Sequence, residues 1–185
     1  TSIHSLMDKK HKLLLCCTGS VASIKIPELV ESLKTTCNIE LKVVATEKAL
    51  HFFNPDDTYD LLRDRDEWET WRNRGDPVLH IELRKWADSC LIAPLDANTL
   101  AKLANGICDN LLTCIMRAWD FEKPVLVCPA MNTYMYAHPF TSKHLNSLKE
   151  IGYVVIPPVE KKLICGDTGI GAMATIETIT SQVSH

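Results

Sequence analysis

The chain predicts an α/β fold, a mainly parallel sheet with helices on both faces in three layers. Two observations predict it. Short apolar runs alternate with segments of helical spacing, as parallel strands joined by crossover helices require. Glycine, proline and capping residues cluster where the apolar runs end, which marks strand-to-helix loops. The sequence has no internal repeat and no low-complexity tract. Its 185 residues are therefore expected to form a flexible tail, 1–11, and one domain, 12–185.

The elements follow in order. Leu13 to Cys17 is a short apolar run that reads as a buried strand. Val21 to Leu33 has helical spacing, with Ile26, Leu29, Val30 and Leu33 on one face. Leu41 to Ala45 predicts a strand, and Lys48 to Phe53 a short helix ended by Asn54-Pro55. Asn54 to Gly75 is polar and carries tryptophan, and is expected to cross the surface as a long excursion. Leu79 to Ala87 predicts a helix, and Cys90 to Ala93 a strand stopped by Pro94. Helices are expected at Thr99 to Ala104 and Asp109 to Trp119. The latter is apolar nearly all round, so it is buried either centrally or against another subunit. Val125 to Cys128 predicts a strand, Thr141 to Glu150 a helix closed by Gly152, Tyr153 to Ile156 a strand, and the tail after Ala174 a last helix.

Composition narrows the function. A net charge of −3 argues against a general nucleic-acid surface. No apolar run approaches a membrane span. The N-terminal residues are basic but hold no apolar signal core, so a cytoplasmic location is expected. Of eight cysteines, Cys16, Cys17, Cys90, Cys114 and Cys128 lie in apolar runs, where a thiol packs as a small hydrophobe. No Cys-x-x-Cys pair appears, and no metal is expected.

Several loops could carry chemistry. Thr18-Gly19-Ser20-Val21 joins a strand to a helix and suits a single phosphate, though it also reads as a plain capped turn. Pro94-Leu95-Asp96-Ala97-Asn98-Thr99 repeats the arrangement with three capping residues where one suffices. A carboxylate facing a phosphate would repel it, so the Asp96 side chain is expected to turn away. Pro129 to Met135 brings Asn132 and flexible thioethers to a strand end, where ligands of open α/β sheets sit. The same stretch also reads as a proline-marked turn. His80 follows a Gly75-Asp76-Pro77 turn and begins a helix, whose positive end opposes protonation and suits a general base. A hydrogen-bonded structural histidine is the other reading. Lys161 to Gly171 is punctuated by glycine and places Cys165 in what reads as a mobile flap or a surface loop.

Taken together, these segments resemble the flavin-containing cysteine decarboxylase family. The resemblance runs from about Lys12 to Val183. It rests on Thr18 to Val21, Gly75 to Ile81, Pro94 to Thr99, Pro129 to Met135 and Cys165-Gly166-Asp167. It implies a flavodoxin-like Rossmann domain and a homotrimer with FMN at each subunit interface. The implied FMN contacts are Gly19, Ser20, Val21, Thr46, Glu47, Lys48, Asp96, Ala97, Asn98, Thr99 and Ala130. The implied catalytic residues are His80 as base and Cys165 as proton donor. Asn132, Met135, Lys162, Ile164 and Met173 are implied to contact substrate. The implied substrate is 4′-phosphopantothenoylcysteine of coenzyme A biosynthesis. It is oxidised transiently to a thioaldehyde, decarboxylated to an enethiolate and reduced again to 4′-phosphopantetheine.

Three positions depart from the family's common pattern. Asp96 stands where many relatives have serine, Tyr136 where tryptophan is common, and Lys85 where a second arginine is frequent. The chain ends soon after the flap and is expected to lack a fused synthetase domain. The competing functions are a regulatory subunit of a protein phosphatase, a flavin prenyltransferase, and a decarboxylase of peptides ending in cysteine.

Overall fold

The computed structural model describes residues 9–55, 59–162 and 168–184. The elements run β1 His11–Cys17, α1 Ile26–Thr36, β2 Ile39–Ala45, β3 Asp60–Leu62, α2 Asp64–Thr70, α3 Leu79–Trp86, β4 Ser89–Leu95 and α4 Ala97–Ala104. They continue with α5 Leu111–Arg117, β5 Val125–Pro129, α6 Thr133–Tyr136, α7 Pro139–Ile151, β6 Val154–Val155, β7 Val159–Lys162, β8 Thr168–Ala172 and α8 Ile176–Val183. Strands β1 to β6 form one parallel sheet in the order β3-β2-β1-β4-β5-β6, and β7 pairs with β8 as an antiparallel hairpin.

The middle of the sheet is buried on both faces, which is why β1 and β4 read as unbroken apolar runs. Alternation along each strand divides the core into two layers. Leu13, Leu15 and Cys17 join Ile26, Leu29 and Leu33 of α1 and Ile179 of α8 on one face. Leu14 and Cys16 join Leu83 of α3, Leu100 of α4, Leu112 and Ile115 of α5, and Leu148 of α7 on the other. The three expected layers follow. Helix α5 takes the central position of the two that its composition allowed, with Leu111, Leu112, Ile115 and Met116 buried within the chain.

Five expectations about elements are corrected. The single helix from Val21 is a 3-10 turn, Val21–Lys25, followed by α1. Pro27 suits the first turn of α1 because it lacks an N–H that would go unpaired there anyway. The short helix after β2 is a 3-10 turn, Ala49–His51. Pro94 does not stop its strand. β4 runs on to Leu95, and the proline falls where the register with β5 shifts between Ile92 and Leu95, so no regular ladder bond is asked of it. The polar excursion before Gly75 contains the edge strand β3 and the helix α2, which has no buried residue and so gives no apolar period to detect. β1 also begins at His11, inside the expected tail, where the ring pairs with the Ser89 hydroxyl at 2.7 Å.

Candidate active site

The strand order reverses between β1 and β4, and the crevice outside their carboxyl ends is where such sheets bind ligands. Thr18 closes the base of this crevice. Its buried hydroxyl donates to the Pro94 carbonyl at 2.7 Å and accepts from the Asp96 N–H at 2.8 Å. Gly19 follows, and a Cβ there would lie 2.6 Å from the Lys48 Cβ and 3.4 Å from Asp96 Oδ2. The loops after β1, β2 and β4 therefore converge on a residue without a side chain.

Three strand ends are finished in the same way. Ser20 accepts a hydrogen bond from Ala22 N–H at 3.3 Å, Asp96 from Thr99 N–H at 2.7 Å, and Asn132 from Tyr134 N–H at 2.8 Å. Each side chain caps the turn or helix that it starts. For Asp96 this turns Oδ1 toward its own helix, while Oδ2 lies beside Gly19 and the residue lines the cleft. For Asn132 the consequence is chemical. The backbone donor requires the amide oxygen on its side, so the NH2 group is left to donate elsewhere.

A cleft of about 1060 Å³ opens here. Gly19, Ser20, Val21, Asp96, Ala97 and Ala130 line one part of it. Asn132, Met135 and Met173 line another, and Val159, Glu160 and Lys161 of β7 face them. Val21 and Met135 are large apolar side chains left exposed, which suits a flat ligand with apolar faces. The hairpin is fastened to the Asn132 loop. Met131 N–H donates to the Gly171 carbonyl at 2.9 Å, and a Cβ on Gly171 would meet the Met131 carbonyl at 2.2 Å.

Other expected residues lie around the cleft rather than in its wall. Thr46 is buried, and its hydroxyl accepts from Ala49 N–H at 3.3 Å. Glu47 pairs with Arg63, which holds its carboxyl below the usual range, while Lys48 abuts Gly19. Thr99 is buried, Asn98 is exposed on the first turn of α4, and Lys162 is exposed at the end of β7. Ile164 and Cys165 lie outside the described residues.

His80 is not in this cleft. It sits on α3, where its Nδ1 is 2.6 Å from Oε1 of Glu67 on α2. The turn before α3 is shaped by Asp76, whose carboxylate accepts from Arg72 and Asn73 N–H at 2.9 Å and is held low by those two bonds. Thiols at the strand ends are inert. Burial pushes Cys128 up to about 12 and Cys17 well above the ordinary range. Among the described residues no group of three or more His, Cys, Asp or Glu side chains could hold a metal.

Thr18, Glu67 and Gly171 are the residues that sequence reasoning passed over. Thr18 lay inside a quoted segment, but nothing local announces its bonds to Pro94 and Asp96. Glu67 lies 13 residues before His80 in a charged stretch without period.

The chain resembles known proteins along nearly its whole length. The model of the family described as Flavoprotein matches residues 1–185. A phosphopantothenoylcysteine decarboxylase of Mus musculus is 57% identical over 95% of this chain and 87% of the relative. One from Oryza sativa subsp. japonica is 53% identical over 94% and 80%. Among solved structures, a cysteine-to-serine mutant of PPC decarboxylase complexed with pantothenoylaminoethenethiol superposes with a TM-score of 0.90 at 51% identity, covering 95% of this chain and 97% of the other. The FMN binding protein AtHal3 superposes at 0.88 with 52% identity, covering 95% of each. With a family match that spans the chain and relatives that share more than half its residues, the chain belongs to the Flavoprotein family.

Proposed function

We propose that this protein is an FMN-dependent phosphopantothenoylcysteine decarboxylase, which converts 4′-phosphopantothenoylcysteine to 4′-phosphopantetheine in coenzyme A biosynthesis. The observation that carries the reading is one cleft, at the reversal of strand order, that holds Gly19, Asp96, Ala130 and Asn132 in a chain 57% identical to a mouse decarboxylase. Gly19 supports the cofactor assignment, because the loops after β1, β2 and β4 pack together only over a residue without a side chain, and that packing shapes the cleft it lines. When bound, FMN supplies reversible two-electron chemistry, which turns a carboxylate with no adjacent electron sink into one that can be lost.

The chain's own residues do the rest. Gly19, Ser20, Val21, Asp96, Ala97 and Ala130 hold the cofactor, with Thr46, Glu47, Lys48, Asn98 and Thr99 completing its site from the surrounding loops. Asn132 offers its NH2 group to the substrate carboxylate, since its oxygen is committed to Tyr134. Met135 and Met173 wall the site, Lys162 contacts substrate from the end of β7, and Ile164 contacts it as well. His80 accepts a proton from the substrate. Cys165 returns a proton to the enethiolate. That role is supported by the relative in which serine replaces a cysteine and which is complexed with an ethenethiol, a species still awaiting reduction.

Within one chain, His80 stands outside the cleft that contains Asn132. This supports a homotrimer in which the histidine of one copy completes the cleft of the next. Seven described cysteines are free, which fits the cytoplasm. Among the described residues no helix is long and apolar enough to cross a membrane.

The test is direct. The purified protein is expected to be yellow, to release carbon dioxide from phosphopantothenoylcysteine, and to sediment as a trimer. A colourless protein that takes up no added FMN defeats the reading.

A further inference from the structure

Glu67 has no place in the activity described above, yet it is the only side chain among the described residues that is hydrogen-bonded to His80. Its Oε1 lies 2.6 Å from His80 Nδ1. Its Oε2 is buried with no partner among the described residues, a costly arrangement for a carboxylate. The helix that carries it is secured at both ends of its first turn. Arg63 N–H donates to Asp66 at 2.8 Å, and Arg63 also pairs with Glu47 in the loop after β2. Asp64 accepts from Leu111 N–H at 3.0 Å, which ties α2 to the start of α5. A short, strongly charged helix with no buried residue is thus held in place by polar bonds, one of them from Glu67 to His80 on α3.

Resting on the reading of His80 as the base, we propose that Glu67 is its positioning residue. The carboxylate has no proton to give, so the hydrogen between the two groups belongs to Nδ1. That fixes the imidazole in its Nδ1–H tautomer and leaves the lone pair on Nε2, which has no hydrogen-bond partner among the described residues. A proton taken from substrate lands on Nε2, and the resulting cation faces the Glu67 carboxylate. Without Glu67 the imidazole reverts to the Nε2–H tautomer that free imidazole favours, and the nitrogen that should accept a proton already holds one.

The experiment uses the FMN-loaded protein labelled with ¹⁵N-histidine. Long-range ¹H–¹⁵N correlation at alkaline pH reads which ring nitrogen carries the proton, and His80→Asn identifies the signals of His80. The native protein is expected to show Nδ1–H at His80, and an Nε2–H ring there overturns the proposal without any variant at position 67. Glu67→Gln keeps an oxygen for Nδ1–H, so the tautomer stays, while kcat for carbon dioxide release falls about tenfold because the counter-charge is gone. Glu67→Ala is expected to show Nε2–H and a kcat about 10²-fold lower, with KM for substrate within about twofold of the native value. An Nδ1–H ring, or an undiminished kcat, in Glu67→Ala overturns the proposal. A native protein that releases no carbon dioxide defeats the decarboxylase reading instead, and leaves the tautomer result standing on its own.

Discussion

The hydroxyl of Thr18 donates to the carbonyl of Pro94 at 2.7 Å, joining the ends of two adjacent central strands. The same oxygen accepts from Asp96 N–H, so one buried group satisfies two backbone atoms where the strand order reverses. Thr18→Val keeps the shape and removes both bonds. It is expected to cost about 2–4 kcal/mol, because two buried polar groups lose their partner. In a chain of this size that lowers Tm by roughly 5–15 °C, read by circular dichroism. Thr18→Ser is expected to stay within about 1.5 kcal/mol of the native protein, since it keeps the hydroxyl and loses only a methyl.

Gly19→Ala tests the convergence of loops. The added Cβ would lie 2.6 Å from the Lys48 Cβ, an atom at the root of its side chain that cannot swing aside. The loop after β1 or the loop after β2 must shift, and the lining of the cleft changes with it. Flavin content of the purified variant, read from its visible absorbance, is expected to fall to about a tenth or less, the effect of roughly 1.4 kcal/mol or more in binding.

Asn132→Asp separates capping from substrate recognition. The carboxylate still accepts from Tyr134 N–H, so the loop keeps its form. The NH2 donor is gone, and a negative charge faces the substrate carboxylate. FMN absorbance is expected to persist while kcat/KM falls by about 10²-fold or more. Unchanged turnover would remove Asn132 from the substrate site.

Gly171→Ala places a methyl 2.2 Å from the Met131 carbonyl, at a φ of +156°. The hairpin must lift from the Asn132 loop and lose its bond to Met131 N–H. Substrate KM is expected to rise about tenfold or more with flavin content unchanged, because the β1 and β4 loops are untouched. Equal losses of flavin and activity would mean that the hairpin braces the whole crevice.

Cys128 gives an alkaline prediction. Its thiol is pushed to about 12 in the folded chain by burial, against about 8.5 when unfolded. A folded value above the unfolded one contributes stability that is complete below about pH 8.5 and is lost as pH rises toward the folded value. Urea denaturation in reductant at pH 9 and 10 is expected to show stability falling by about 1.4 kcal/mol less per pH unit in Cys128→Ala than in the native protein. Identical slopes would contradict the burial argument.

The parts legible in the sequence were those whose physics is local or periodic. β1, β4 and β5 announced themselves because strands buried on both faces are apolar at every position. Ser20, Asp96 and Asn132 could be read because a cap needs a short polar side chain just past a strand. β3 and α2 were hidden because one is three residues long and the other buries none of its side chains. The pairing of Glu67 with His80 was hidden for a different reason. It is made by the packing of two helices and leaves no spacing rule behind. The displacement of His80 from the Asn132 cleft likewise depends on where α3 crosses the sheet, which no local pattern encodes.

Two pieces of differing origin enclose the cleft. Its floor grows out of the parallel sheet, whereas the wall opposite is an antiparallel appendage attached through Met131 and Gly171. Such an arrangement lets a lineage, or an engineer, exchange the appendage and change which molecules are admitted without disturbing the floor. Diversity among descendants of this architecture should therefore gather between positions 157 and 174, and transplanting that stretch between cousins should carry preference with it.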